Sequence, residues 1–237
     1  HAPAFMKGRY LKLTRNLSQT PWILEDDSRK TESSVQEEIL RHMLPVFIAK
    51  SAKFHTGGRE DADVRMLGSG RPFVMELTEP KHGYVSSEKV QDMADKINAP
   101  GAIVNVRGLE LCEDGRKDVL ELTKAAQHKK KEYRARIYLT RRLETKFVEK
   151  TLHAKEPFTL MQKTPIRVLH RRTLLTRPKT IFSLRVARWL GPQLFDLVMV
   201  SSAGTYIKEF CHGDRGRTQP YLGEILGCQS DILQLDV

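Results

Sequence analysis

The clearest periodicity along the chain lies in residues 34–48. Val35, Ile39, Met43, Leu44 and Phe47 recur at helical spacing and would share one face. Ser34 followed three residues later by Glu37 has the form of a capping box, which would start a helix there. Pro45 should kink that helix or end it early, because proline lacks the N–H that helical bonding needs. Ser87 is placed to cap a second helix running through Asn98, with Val90, Met93 and Ile97 turned inward. The period then changes. Residues 102–111 alternate apolar and polar, as a half-buried strand does, and residues 133–139 do the same with Arg134 and Arg136 on one face. Residues 73–77, 166–169, 180–187 and 194–201 read as further strands. Residues 117–131 and 141–153 read as helices, the first closing on Lys129-Lys130-Lys131. The pattern predicts an α+β protein, a mixed or antiparallel sheet with helices packed on one side. No internal repeat is present, and no Gly/Ser-rich or Pro-rich linker divides the chain. Its 237 residues suit one large domain or two small ones.

Composition changes this picture in one respect. A hydrophobic content of 40% and a charged content of 29% are ordinary for a globular chain able to bury its own core. The balance of charge is not: 40 Lys and Arg against 29 Asp and Glu leave a net charge of +11. Such an excess favours a polyanionic partner, since cationic side chains neutralise phosphates and release counterions. The competing reading is a soluble protein that is merely basic. Cys112, Cys211 and Cys228 form no CxxC pair, so they suggest neither a disulfide framework nor a zinc site, but thiols in a reducing compartment. No apolar run reaches the ~18 residues of a membrane span. Residues 1–10 lack a signal-peptide layout and do not begin with Met, which reads as a piece of something longer.

Four constellations could carry chemistry. The first is Gly57-Gly58-Arg59-Glu60-Asp61-Ala62-Asp63-Val64-Arg65, followed by Gly68-Ser69-Gly70-Arg71-Pro72-Phe73. Glycine admits unusual backbone angles and close approach of a ligand, and a carboxylate among Arg59, Arg65 and Arg71 would stay ionised. A surface loop of solvated ion pairs fits the same residues about as well. The second is Ser202-Ala203-Gly204-Thr205-Tyr206-Ile207-Lys208, after the apolar stretch 197–200. It could bury Ile207 and aim Lys208 into a cleft, or be a strand-to-helix junction with a snorkelling lysine. The third is Tyr133, beside a basic run, where a ring can stack on an unpaired base or simply belong to the core. The fourth is basic: Arg167, His170, Arg171 and Arg172 are natural phosphate ligands, or a solvated charge run.

Taken together, these segments resemble one family. Gly58-Arg59-Glu60-Asp61 looks like the Gly-Arg-x-Asp motif of pseudouridine synthases, and Asp61, not Asp63, occupies its catalytic position. Ala203-Gly204-Thr205-Tyr206-Ile207-Lys208 resembles the later motif, whose basic residue pairs with that Asp; Tyr133 falls where these enzymes carry an active-site tyrosine. Within the superfamily the chain is most similar to the archaeal and eukaryotic tRNA synthase family called Pus-ten. The supporting stretches are Gly8-Arg9-Tyr10, residues 15–22, 61–76 and 163–172, and Tyr206 through Asp214. The resemblance implies a pseudouridine synthase core over residues 1–237, a long, mostly antiparallel mixed sheet flanked by helices and split by a central cleft, with two sub-lobes allowed for. It also implies a further N-terminal region, bearing an RNA-binding module and a cysteine-based metal site, outside these residues.

By the same resemblance, uridine is flipped out of its RNA, Asp61 starts cleavage of the glycosidic bond, and the freed uracil turns and rejoins through carbon, with no cofactor or metal. Lys208 would keep Asp61 ionised, Tyr133 would stack on the base, and Ile207 would line the pocket. Arg59 would hold the displaced phosphate, with Arg65, Tyr206, Arg167, His170, Arg171 and Arg172 as further substrate contacts. The expected partner is RNA, above all the TΨC loop of tRNA at one or both of two adjacent uridines. A monomer is the default, and nucleus, cytoplasm and mitochondrion stay open as compartments. Two rivals remain: a catalytically silent RNA-binding or chaperone module on the same fold, and a hydrolase using Asp61 and Asp63 as paired carboxylates.

Overall fold

The computed structural model describes residues 2–237, the side chains of residues 126–128 excepted. The chain falls into two compact units, His1–Ala126 and Gln127–Val237. The α+β reading holds, and every pair of strands is antiparallel. The expected long sheet is present as two, one of four strands and one of six.

In the first unit the order is β1 (Ala4–Lys12), α1 (Val35–Phe47), β2 (Ser51–Thr56), β3 (Met66–Thr78), α2 (Ser87–Ile97), β4 (Val104–Leu111) and α3 (Gly115–His128). The sheet runs β2-β3-β1-β4. The apolar face of α1 (Val35, Ile39, Met43, Phe47) and that of α2 (Val90, Met93, Ile97) are buried, as the periodicity predicts. They share the core with Met6, Met75, Leu77 and Val106 of the sheet; each such side chain contributes about 1.5–3 kcal/mol by leaving water. Ser34 caps α1: its Oγ accepts from Glu37 N–H at 3.2 Å and donates to Glu37 Oε2 at 2.7 Å. Pro45 neither kinks nor stops the helix at once. It sits exposed in the last turn, and the helix closes two residues later, where Ile48 (φ 48°) donates its N–H to Leu44 O at 2.8 Å. The cap of α2 is Ser86 rather than Ser87.

The glycine-rich cluster 68–72 lies inside β3, which begins at Met66, earlier than the pattern predicted. A Cβ at Gly70 would stand 2.6 Å from Tyr10 O, so the residue that looks like a strand breaker is what lets β3 pass β1.

The second unit contains β5 (Lys131–Leu139), α4 (Thr145–Ala154), β6 (Phe158–Lys163), β7 (Thr176–Gly191), β8 (Leu194–Ser201), α5 (Ile207–His212), β9 (Thr218–Gln219), α6 (Leu222–Leu226) and β10 (Ser230–Asp236), with 3-10 turns at Ile166–Arg171 and Gly213–Gly216. Its sheet order is β10-β5-β8-β7-β6-β9. Tyr133, Ala135, Ile137 and Leu139 form the buried face of β5, and Phe195, Leu197 and Met199 that of β8. Arg134 and Arg136 share the opposite face, as predicted, and both grip the buried Asp196 at 2.9 Å. Two expectations need correcting. Residues 166–169 form a 3-10 turn instead of a strand; only Val168 among them is buried, and among the described residues no neighbouring strand takes up the segment. The lysine run 129–131 does not close α3, which ends at His128; Lys131 opens β5. Among the described residues no helix is long and apolar enough to cross a membrane.

Candidate active site

The loop after β2 is shaped by side chains buried beneath it. Arg59 is exposed, Glu60 is buried and Asp61 is half-buried, so successive residues of the motif point to different surroundings. Gly58 at φ 115° turns the chain into this arrangement, an angle that favours glycine. Glu60 enters a closed polar network. Arg71 Nε donates to its Oε2 at 2.8 Å, and Tyr10 Oη lies 2.9 Å from both carboxylate oxygens. Gln19 Nε2 donates to Tyr10 Oη at 2.8 Å and to Gly58 O at 2.9 Å, while Arg71 Nη1 donates to Gly57 O at 3.1 Å. Burial, reinforced by the Glu60 charge, raises the Tyr10 hydroxyl well above the usual phenol range, so it stays a donor. Arg71 pairs with the buried Glu60 through its guanidinium, so this arginine of the motif is anchored within the loop's own network.

Lys12 holds the second half of the loop. Its ammonium is fully buried and donates to Leu17 O at 2.8 Å, Asp61 O at 3.0 Å and Ala62 O at 3.1 Å. Three carbonyls thus meet the three N–H donors of one lysine. Burial pushes this group down to about 8, against the pull of the Glu60, Asp63 and Asp61 carboxylates. Arg15 adds a contact from Nη1 to Asp63 O at 2.9 Å. The backbone at residues 57, 58, 61, 62 and 63 is therefore fixed through its carbonyls. Arg65 is half-buried just ahead of β3.

In the second unit, Tyr133 is buried in β5 opposite Met199. The later motif leaves β8 through a turn stapled at Ala203 O by Lys179 Nζ at 2.8 Å. Gln162 of β6 then clamps the backbone of Tyr206 from both sides: Tyr206 N–H donates to Oε1 and Nε2 donates to Tyr206 O, each at 2.9 Å. That fixes the entry to α5, where Ile207 is buried, Lys208 is half-buried in the first turn and Glu209 is buried. Glu209 Oε1 accepts from Arg167 Nε at 2.7 Å; its other oxygen is buried with no hydrogen-bond partner among the described residues. Arg167, though exposed, is thereby drawn to α5; His170, Arg171 and Arg172 are exposed as well.

This basic segment is fastened from below by residues 214 and 217. Asp214 Oδ2 accepts the Ile166 N–H at 3.1 Å, and Arg217 Nη2 donates to Thr164 O at 2.7 Å. Residues 213–216 all take positive φ, at 80°, 46°, 55° and 82°. For the two that are not glycine this costs roughly 1–2 kcal/mol each.

The first unit thus gathers Arg59 and Asp61 on one loop, with Arg65 four residues on. The second gathers Tyr206, Ile207, Lys208 and Arg167 around α5, with His170, Arg171 and Arg172 following and Tyr133 on a separate strand. A cavity of about 440 Å³ lined by Phe5, Leu111, Cys112 and Arg116 among others contains none of these residues. Reasoning from the motifs overlooked Tyr10, Lys12, Gln19, Gln162, Glu209 and Asp214, and treated Glu60 as a variable position. The signal for Tyr10 and Gln19 was their place in stretches that carry the family resemblance although no exposed chemistry is visible in them.

A family model described as "Pus10, C-terminal" matches residues 5–237. The chain is 42% identical over 237 residues to "tRNA pseudouridine synthase Pus10" of Homo sapiens, covering 100% of this chain and 44% of the relative. It is 38% identical to the protein of the same name from Thermofilum pendens, covering 100% and 52% respectively. The chain spans about half the length of these curated relatives. Among solved structures it is similar to "Crystal Structure of a Cbf5-Nop10-Gar1 Complex", at 13% identity and a TM-score of 0.46, over 97% of this chain and 56% of that one.

Proposed function

Because the chain belongs to the Pus10 C-terminal family, we propose that it is the catalytic part of an RNA pseudouridine synthase acting on tRNA. The observation that carries this reading is the loop at Asp61. A buried network holds the backbone around that residue, and the neighbouring Glu60 is turned inward to anchor it. Such support suits a carboxylate that must be aimed; a loop of solvated ion pairs does not need it.

The substrate uridine lies within a folded RNA and must be extruded at a cost of a few kcal/mol. The exposed side chains of Arg59, His170, Arg171 and Arg172 offset that cost by holding phosphates, and a net charge of +11 draws the RNA in. Asp61 acts as the ionised carboxylate that begins the reaction. The bond from uracil N1 to C1′ breaks, the base turns, the bond from C5 to C1′ forms, and the C5 proton is lost while N1 takes one up. Atoms are conserved, so the chemistry is an isomerisation. Lys208, at the start of α5, supplies the positive charge that favours the ionised carboxylate, and Tyr133 stacks on the base. The target is one or both of two adjacent uridines in the TΨC loop of tRNA.

A silent RNA-binding module would need the basic surface alone and gives no reason for Lys12 and Gln162 to clamp the backbone beside Asp61 and Lys208. Chemical mapping of pseudouridine in RNA from cells with and without this protein tests the proposal. A tRNA position that loses the modification supports it, and an unchanged tRNA map refutes it.

A further inference from the structure

We propose that Arg215 is an RNA phosphate contact, presented by the left-handed turn at residues 213–216; this rests on the RNA reading above and adds a residue to it. Within that turn, Gly213 and Gly216 adopt positive φ without steric cost. Asp214 has local reasons to be there: its carboxylate takes the Ile166 N–H, and its own N–H donates to His212 Nδ1 at 3.1 Å. Arg215, at φ 55°, has none. It is exposed, and among the described residues it has no hydrogen-bond or ion-pair partner. Asparagine or glycine would hold this backbone with less strain. A strained position occupied by a long, exposed cationic side chain with no polar partner among the described residues points to a ligand outside the chain.

The ligand's chemistry follows from the neighbourhood. Asp214 and Arg217, on either side of Arg215, are bonded to Ile166 N–H and Thr164 O, so the arginine belongs to the same patch as the basic 3-10 turn. Residues 157–195 contain eight Lys or Arg and no Asp or Glu. A stretch this long without an acid suits a repeating chain of phosphates, and a guanidinium can engage a phosphate through two N–H groups at once. Arg217 cannot serve in the same way, because its guanidinium is committed to Thr164 O.

The test uses the full-length protein, an unmodified tRNA transcript and the variant Arg215→Asn. The variant should melt at the same or a slightly higher temperature, because asparagine tolerates this conformation. Its Kd for the transcript should rise about 3–10-fold near physiological salt, and the slope of log Kd against log salt should fall by about 1. Stability and binding would then move in opposite directions, which a structural arginine cannot produce. An unchanged Kd and salt slope, or a lowered melting temperature, overturns the proposal. If pseudouridine still forms while the slope is unchanged, this inference alone has failed. If the wild type binds the transcript with the expected slope and forms no product, the enzymatic reading has failed and the contact stands.

Discussion

The loop at residues 57–64 and the turn at residues 213–217 are both irregular backbone held in one conformation, by opposite means. The first is fixed by buried side chains that reach backbone carbonyls: Arg71 to Gly57, Gln19 to Gly58, and Lys12 to Asp61 and Ala62. The second is fixed by its own neighbours, strains two non-glycine residues, and leaves Arg215 in solvent while Arg217 is bonded to Thr164 O. The difference fits the roles proposed for the two. A carboxylate that starts a reaction must be placed closely, which a buried support provides, whereas side chains proposed to hold phosphates need reach and charge, which an exposed turn provides.

The contrast can be broken most forcefully at Arg71. Arg71→Met leaves Glu60 charged and buried without its partner, and should cost about 3–5 kcal/mol in denaturant unfolding. The double variant Glu60→Leu, Arg71→Met should lose clearly less, since no charge is stranded; equal losses would mean that the network does not act as an ion pair. Lys12→Met comes next. It strands buried carbonyls and should cost about 1–3 kcal/mol. Its pH dependence is more telling. The folded state holds this ammonium at about 8, against 10.5 for an ordinary lysine, so the folded state binds fewer protons across that window. Wild-type stability should therefore gain on that of Lys12→Met as pH rises from about 8 toward 10.5, and lose that gain as pH falls back through 8. Parallel curves would show that the lysine is not buried as described. The smallest effect belongs to the basic turn. Arg171→Gln should change stability by no more than about 0.5 kcal/mol, yet lower the salt slope of RNA binding by about 1.

Much of the fold was readable as pattern. The helices α1 and α2 and the alternating strands β4 and β5 show their periods because each has one buried face and one wet one. β1 was hard to see for the opposite reason: the alternation that starts at Ala4 and Met6 breaks down where Tyr10, Leu11 and Lys12 are buried in succession, and one of the three is a lysine. The basic stretch at 166–169 imitates a strand, but Asp214 takes the Ile166 N–H at the start of a 3-10 turn, and that partner lies 48 residues off in sequence. The site divides in the same way. Asp61, Tyr133 and Lys208 are candidates because the family resemblance marks their positions. Lys12, Gln19 and Gln162 are not, because a buried polar side chain that serves a backbone carbonyl looks in sequence like any surface residue.

The central claim, that this loop exists to aim one carboxylate, is tested most directly by comparing Asp61→Asn with Asp63→Asn in single-turnover pseudouridine formation on tRNA by the full-length protein. Asp61→Asn should bind tRNA normally and form no product, while Asp63→Asn, altered two residues away on the same loop, should keep most of the wild-type rate. Product from Asp61→Asn at a rate near wild type would contradict the account.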